Sequence, residues 1–296
     1  MAPRRLTQLC AAAVTLVACG RAPSCLRDKK PVAVVPCVGE SAVLPRRSYP
    51  ADARTRASVE TLDVEGRSRR YVLVRPDLLG AERRYPLVLV FHGDGGDAQG
   101  FHAAFPFERA SGADAILAYP DGIGRTWDLE TTRGNRDVRF VEAVIDAIAD
   151  SLPVDRARVF ATGYSSGGFL ANVLACQRSP VVRAIASNAG GAPYNQEERW
   201  PNGFPRCPGQ TPVAAIALHG RHDFGVTLDS GRFSAEYWAY VNGCDPGTME
   251  TTGYDECLAY RGCPTGKAVA FCEIPALGHW VWDQAAEASW TFFQGQ

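Results

Sequence analysis

The chain has 296 residues, 46% of them hydrophobic and 21% charged, so it can bury a full core and still form a single domain. Its formal net charge is -1 and its pI is about 6.5. No long-range positive field is available to attract a polyanion, which argues against nucleic acid as a partner.

Residues 1–18 read as a signal peptide: Arg4 and Arg5 give a positive start, residues 9–18 a short apolar stretch, and Cys19 a break. The stretch is too short to span a bilayer comfortably. Leu16-Val17-Ala18-Cys19 resembles the lipobox of bacterial lipoproteins, in which the cysteine carries a lipid anchor after cleavage. An ordinary secretory leader with an incidental cysteine is the alternative, and both export the protein, to the extracellular space or to an outer-membrane or cell-surface position. Residues 19–54 are rich in Pro, Arg and Lys without periodicity and read as a tether, leaving residues 55–296 as the folded domain.

That domain opens with a hairpin signal, residues 59–64 and 71–75 flanking Glu65-Gly66-Arg67-Ser68. Apolar runs at residues 87–91, 115–119, 159–162, 182–187, 213–218 and 269–274 are the strand candidates, and helical patterns separate them. Residues 137–152 put Phe140, Val141, Val144, Ile145 and Ile148 on one helix face, and Pro153 ends the helix. A second helical stretch covers residues 169–176. The alternation predicts the α/β class, a mostly parallel twisted sheet with helices on both faces.

Of the ten cysteines, eight remain after Cys10 and Cys19, an even number that suits disulfides in an oxidising compartment. Cys25 is expected to pair with Cys37, and Cys176 with Cys207. Cys244, Cys257, Cys263 and Cys272 allow three connectivities that the sequence does not separate. No CxxC and no finger-like histidine spacing occurs, so no metal site is expected.

The chemistry concentrates around Gly163-Tyr164-Ser165-Ser166-Gly167, a GxSxG pentapeptide set between a strand candidate and a helix candidate. Such a turn holds its central serine strained and exposed, with glycines where side chains would collide with crossing backbone, and nominates Ser165 as a nucleophile. The order Ser, acid, His of an α/β-hydrolase follows: Asp223 lies just past the 213–218 run, and His279, past the 269–274 run, is the one histidine after it. His92-Gly93-Asp94-Gly95-Gly96 follows the 87–91 run, where an oxyanion loop belongs. Asp121 and Asp128 precede Ser165 and so break the order. His92 and His219, each before a glycine at a strand end, are expected to organise loops by hydrogen bonding; His102 carries no signal, and His222 adjoins the acid. Trp127 and Trp280 are candidates to line a substrate pocket, with core packing the alternative for Trp127 and packing behind the imidazole the alternative for Trp280, whereas Trp282 and Trp290 read as core. A lid is expected from residues 192–209 or 243–267.

HGDGGDAQGF at 92, AYPDGIGRTWD at 118, RVFATGYSSGGFLANVLAC at 158, LHGRHD at 218 and GHW at 278 together resemble the secreted polyhydroxybutyrate depolymerase and feruloyl esterase group of the α/β-hydrolases. The resemblance runs from about Glu60 to Phe292. It implies a cofactor-free serine carboxylesterase with Ser165, Asp223 and His279 as its triad and backbone N–H groups of Asp94 and Ser166 as its oxyanion hole. A carboxylate facing a developing oxyanion would oppose catalysis, so the Asp94 side chain is expected to turn away. The implied partner is an ester, of a plant polysaccharide or a polyester, with feruloyl or acetyl esters favoured on the PDGIGRTWD-like stretch. The protein is expected to act as a monomer. An acyltransferase of the same fold, or an inactive polymer-binding surface lipoprotein, are the rival readings.

Overall fold

The computed structural model describes residues 54–296. The leader, the Cys19 anchor, the Cys25–Cys37 pair and all but the last residue of the tether lie outside the described residues. Strands β1 (Thr55–Val64) and β2 (Arg67–Pro76) form the hairpin with Val64 paired to Arg67. Its turn is the two residues Glu65 and Gly66, at φ 55° and 75°. This is tighter than the four-residue loop read from the sequence, because two consecutive left-handed residues match the twist of the strands they join. Next come β3 (Tyr85–Phe91), α1 (Ala98–Ala104), α2 (Glu108–Ser111), β4 (Ile116–Pro120), α3 (Arg136–Ser151), β5 (Val154–Tyr164), α4 (Ser166–Gln177) and β6 (Ala184–Asn188). The chain continues through two short strands, β7 (Glu198–Arg199) and β8 (Pro205–Arg206), then β9 (Ala214–Gly220), α5 (Leu228–Asn242), β10 (Met249–Thr251), β11 (Cys257–Tyr260), β12 (Val269–Ile274) and α6 (Ala285–Gln294).

Ten strands make one sheet in the order β1-β2-β4-β3-β5-β6-β9-β12-β11-β10. The six from β4 to β12 are parallel, and antiparallel hairpins complete both edges. The centre is apolar on both faces, since helices cover both. Along β3, Leu87, Leu89 and Phe91 pack with α3, α4 and α5 on one side, while Val88 and Val90 face α1 and α6 on the other. A strand's period of two turns one continuous apolar run into two separate cores.

The helix read at 137–152 is α3, one residue earlier at each end. Asn135 starts it by accepting from the N–H groups of Asp137 (2.9 Å) and Val138 (3.1 Å), which satisfies donors that the first turn leaves without intrahelical partners. Asp137 forms a buried ion pair with Arg69 of β2 at 2.8 Å, and the guanidinium also lies over the Phe140 ring at 3.8 Å. Burial lowers the arginine's affinity for its proton, and the Asp137 carboxylate works against that loss.

Cys176 bonds to Cys207, Cys244 to Cys263 and Cys257 to Cys272. All six described cysteines are therefore committed to disulfides and withdrawn from metal ligation. The 243–267 segment is an extension of the sheet rather than a lid: β10 and β11 add to its edge, and Cys257 sits in register with Cys272 on β12. Residues 192–209 instead form a loop carrying the β7–β8 pair, tied to α4 through Cys207.

Candidate active site

Parallel strands deliver their carboxyl ends to one edge of a sheet, which is where loops gather ligand groups in open α/β folds. Ser165 follows β5, Asp223 follows β9, His279 follows β12, and the 92–96 loop follows β3. The sharp turn out of β5 holds Ser165 at φ 53° and ψ -121°, a left-handed φ that costs a non-glycine residue energy and persists only where the surroundings enforce it. The flanking glycines show what enforces it. A Cβ on Gly163 would run into the Gly167 carbonyl, and one on Gly167 into the carbonyls of Phe91 and His92. The Ser165 N–H is held by the Asn188 carbonyl at 2.9 Å.

Ser165 Oγ lies 3.0 Å from His279 Nε2, and His279 Nδ1 lies 2.8 Å from Asp223 Oδ2. A carboxylate oxygen only accepts, so Nδ1 carries the imidazole proton and Nε2 is left to accept from the serine hydroxyl. Asp223 is buried, at 4% exposure. Its Oδ1 accepts from the N–H groups of Gly225 and Val226, each at 2.9 Å. His219 stands behind it, Nε2 donating to the Val226 carbonyl at 2.8 Å and lying 3.3 Å from Asp223 Oδ2. Burial lowers the His219 pKa. A neutral ring with its proton on Nε2 matches both neighbours, which are acceptors.

The loop after β3 is fixed from beneath. His92 is buried, and burial lowers its pKa. Its Nε2 accepts from the Gly122 N–H at 3.0 Å and its Nδ1 donates to the Gly93 carbonyl at 2.8 Å. Both histidines thus organise loops. Trp127 does not line the cleft beside this loop. It is 5% exposed, packs its indole 4.6 Å from the His92 ring and donates to the His92 carbonyl at 2.7 Å. The large ring is used to seat the loop, because a buried indole N–H must find an acceptor and the strand end offers one.

The Asp94 carboxylate accepts from the Thr126 hydroxyl at 2.6 Å. Its side chain is thereby tied to the neighbouring 122–127 loop. Ser166 is the first residue of α4, a position whose N–H has no intrahelical acceptor and where the helix dipole favours negative charge. No acceptor among the described residues takes the Asp94 N–H. Both N–H groups are therefore without a protein acceptor among the described residues.

Beside the loop lies a cleft of about 300 Å³, lined by the aromatic residues Phe101, Tyr164 and Trp280 and by Asp94, Gly95 and Arg125. Trp280 is 49% exposed and meets Tyr164 edge-on, with ring centroids 4.9 Å apart.

Tyr164, the variable residue beside the nucleophile, is a site residue that the sequence pattern did not single out. Its hydroxyl donates to the His279 carbonyl at 2.8 Å, fixing the histidine loop to the serine turn. Gly225 is another: a Cβ there would lie 2.9 Å from His279 Cγ. Adjacency to Ser165 and Asp223 was the available signal for both. His222 is exposed, with its N–H on the Leu277 carbonyl at 3.0 Å, and His102 pairs with Glu108 at 2.8 Å. Asp121 serves the Ala98 N–H and Arg70, and Asp128 caps the turn after it; neither joins the serine–histidine line. Trp282 and Trp290 are buried in the core, Trp282 lying before α6 rather than in it.

No protein-family model matches the chain. Among curated proteins, feruloyl esterase D of Neurospora crassa is 28% identical over 230 residues, 71% of this chain and 74% of that one. Feruloyl esterase C of Emericella nidulans is 31% identical over 185 residues, 60% of this chain and 63% of that one. Among solved structures, an acetyl xylan esterase from Aspergillus awamori superposes with a TM-score of 0.66 at 17% identity, covering 81% of this chain and 100% of that one. At that identity the likeness speaks for the fold alone.

Proposed function

Because the chain is an α/β-hydrolase of the feruloyl esterase group, and a carboxylic ester hydrolase, we propose that Ser165, His279 and Asp223 hydrolyse hydroxycinnamoyl esters through an acyl-enzyme. In this mechanism His279 Nε2 takes the proton from Ser165 as Oγ attacks the ester carbonyl carbon. Asp223 holds the imidazole in the required tautomer and stabilises its cationic form. The tetrahedral oxyanion is taken by the N–H groups of Asp94 and Ser166, each contributing on the order of 3 kcal/mol to transition-state stabilisation. The imidazolium then gives its proton to the departing alcohol oxygen, the acyl group stays on Ser165, and water repeats the sequence to release the acid.

The observation that carries the reading is the continuous line from Ser165 Oγ through the imidazole to the buried carboxylate, at 3.0 and 2.8 Å. The aromatic wall beside it supports a flat, conjugated acyl group over acetyl, since offset and edge-on ring contacts reward an aromatic guest. In the experiment that tests it, wild-type protein turns over methyl ferulate and p-nitrophenyl acetate and takes a fluorophosphonate label. Ser165→Ala loses both turnover and label while keeping its melting temperature. Wild-type turnover rates in that variant would discard the nucleophile. Export belongs to the same reading: three disulfides suit an oxidising compartment, and the leader with its Cys19 supplies the route, tested by mass spectrometry of the mature amino terminus from membrane and medium fractions.

A further inference from the structure

Arg125 is one of five non-glycine residues with positive φ among the described residues, at 64°, and follows Gly124 at 67°. A left-handed arginine is a costly choice that the surroundings must enforce. They do so through the oxyanion loop. The Arg125 carbonyl accepts from the Gly95 N–H at 2.8 Å and its Nε donates to the Gly95 carbonyl at 2.6 Å. With both backbone polar groups of Gly95 engaged, the guanidinium is pinned to the cleft wall instead of sweeping through solvent.

Its outer edge remains open. The Arg125 side chain is 62% exposed, and its Nη2 lies 3.4 Å from Asp97 Oδ2, whose side chain is 40% exposed. The other Asp97 oxygen is engaged as the cap of α1, accepting from the Gly100 N–H at 2.8 Å. The cleft lined by Phe101, Tyr164 and Trp280 thus also carries a pinned cation with spare N–H donors, and beside it a carboxylate oxygen with spare acceptor capacity. The cleft adjoins the nucleophile, because Gly93 in its lining lies so close that a Cβ there would sit 3.3 Å from the Ser165 Cβ.

We infer that Arg125 and Asp97 together recognise the ring 4-hydroxyl of a hydroxycinnamoyl acyl group, the guanidinium donating to the phenolic oxygen and Asp97 Oδ2 accepting the phenolic proton. A phenol is both donor and acceptor on one atom, and this pair supplies the complement of each. The inference rests on the hydroxycinnamoyl reading above and assigns its specificity to residues. Discrimination follows from the two hydrogen bonds: a ring without the hydroxyl forfeits both the bond from the guanidinium and the bond to Asp97, and sites built to hydrogen-bond a hydroxyl disfavour analogues that lack it.

The test compares kcat/KM for methyl ferulate, methyl p-coumarate and methyl cinnamate, which share the acyl frame and differ only in ring substituents. Wild type is expected to favour ferulate and p-coumarate over cinnamate by roughly tenfold to a hundredfold, the range of hydrogen bonds to charged groups. Arg125→Leu brings both ratios to within about threefold of unity. Asp97→Asn, which keeps a capping oxygen for Gly100, lowers them in the same direction and serves if the leucine variant fails to fold. If all three esters lose rate by one factor, Arg125 serves only to hold Gly95 and the inference falls; it also falls if the wild type shows no preference or the variants no change. Wild-type turnover of p-nitrophenyl acetate with none of the three cinnamoyl esters would instead overturn the hydroxycinnamoyl reading itself, and this inference with it.

Discussion

Ser165 and Tyr164 carry opposite duties within one turn. The serine must stand free at a strained φ, and the tyrosine beside it, packed against Trp280 and bonded to the His279 carbonyl, fixes the histidine to the same turn. Tyr164→Phe keeps the ring and removes the bond. Losing a hydrogen bond of about 1 kcal/mol is expected to lower kcat/KM on methyl ferulate by up to about tenfold, through kcat more than KM, since the imidazole is displaced while the aromatic wall stays. Steady-state kinetics on the purified variant check this, and an unchanged kcat would show that the histidine loop holds its place without the tyrosine. Residue type and order alone nominated Asp223 and His279, and the structure brings both into a hydrogen-bonded line with Ser165. For Trp127 the sequence left pocket lining and core packing both open, and the structure buries it as a loop anchor, because the sequence shows a large ring near a strand end but not which side of that end it occupies.

The elements hold these residues through a few buried polar contacts. Helix α3 is stitched to β2 by Arg69 and Asp137, whose side chains are 6% and 0% exposed. Asp137 also accepts from the Asp128 N–H at 2.7 Å, anchoring the chain that follows the Trp127 loop. Asp137→Ala leaves a buried guanidinium without its counter-charge and is expected to cost about 3–5 kcal/mol of stability. Asp137→Asn, which still accepts hydrogen bonds, costs less. Urea unfolding midpoints of the two variants against wild type measure the difference, and equal losses would mean that the charge, which both variants remove, and not the hydrogen-bonding oxygens, holds the helix. The strands and α3 were legible as runs and a 3.6-residue period. β10 and β11 were not: at three and four residues they lack a pattern long enough to read, and their place at the sheet edge comes from pairing with β12.

Across the whole molecule, pH acts through two buried histidines and a carboxylate held by arginine hydrogen bonds. Burial lowers the pKa values of both His92 and His219 from 6.5, so below about 6.5 the unfolded chain binds protons that the native sites resist. Native stability therefore declines as pH falls from 6.5. A second loss comes at lower pH. Hydrogen bonding by Arg232 holds the Glu273 pKa below 4.5; its contribution is present above 4.5 and disappears as pH falls through the lowered native value. Melting temperatures measured from pH 7.5 down to 3 should show both stages. His219→Gln should weaken the first stage and leave the second; a melting temperature flat between pH 7 and 5 in wild type would refute the role of the buried histidines.

Taken alone, the order of residues determined the fold class, nominated the serine turn with its acid and histidine, and pointed to the Cys176–Cys207 pair. Each is written in features that act locally: periodicity, glycines at a forced turn, sequence neighbours of a strand end. The crossed pairing of Cys244 with Cys263 and Cys257 with Cys272, the burial of Trp127, and the pinning of Arg125 to Gly95 were decided only in three dimensions. Each depends on which strand lies beside which. The order of the sheet is set by the cheapest burial of two apolar faces summed over the domain, and no stretch of sequence short enough to be read locally contains that sum.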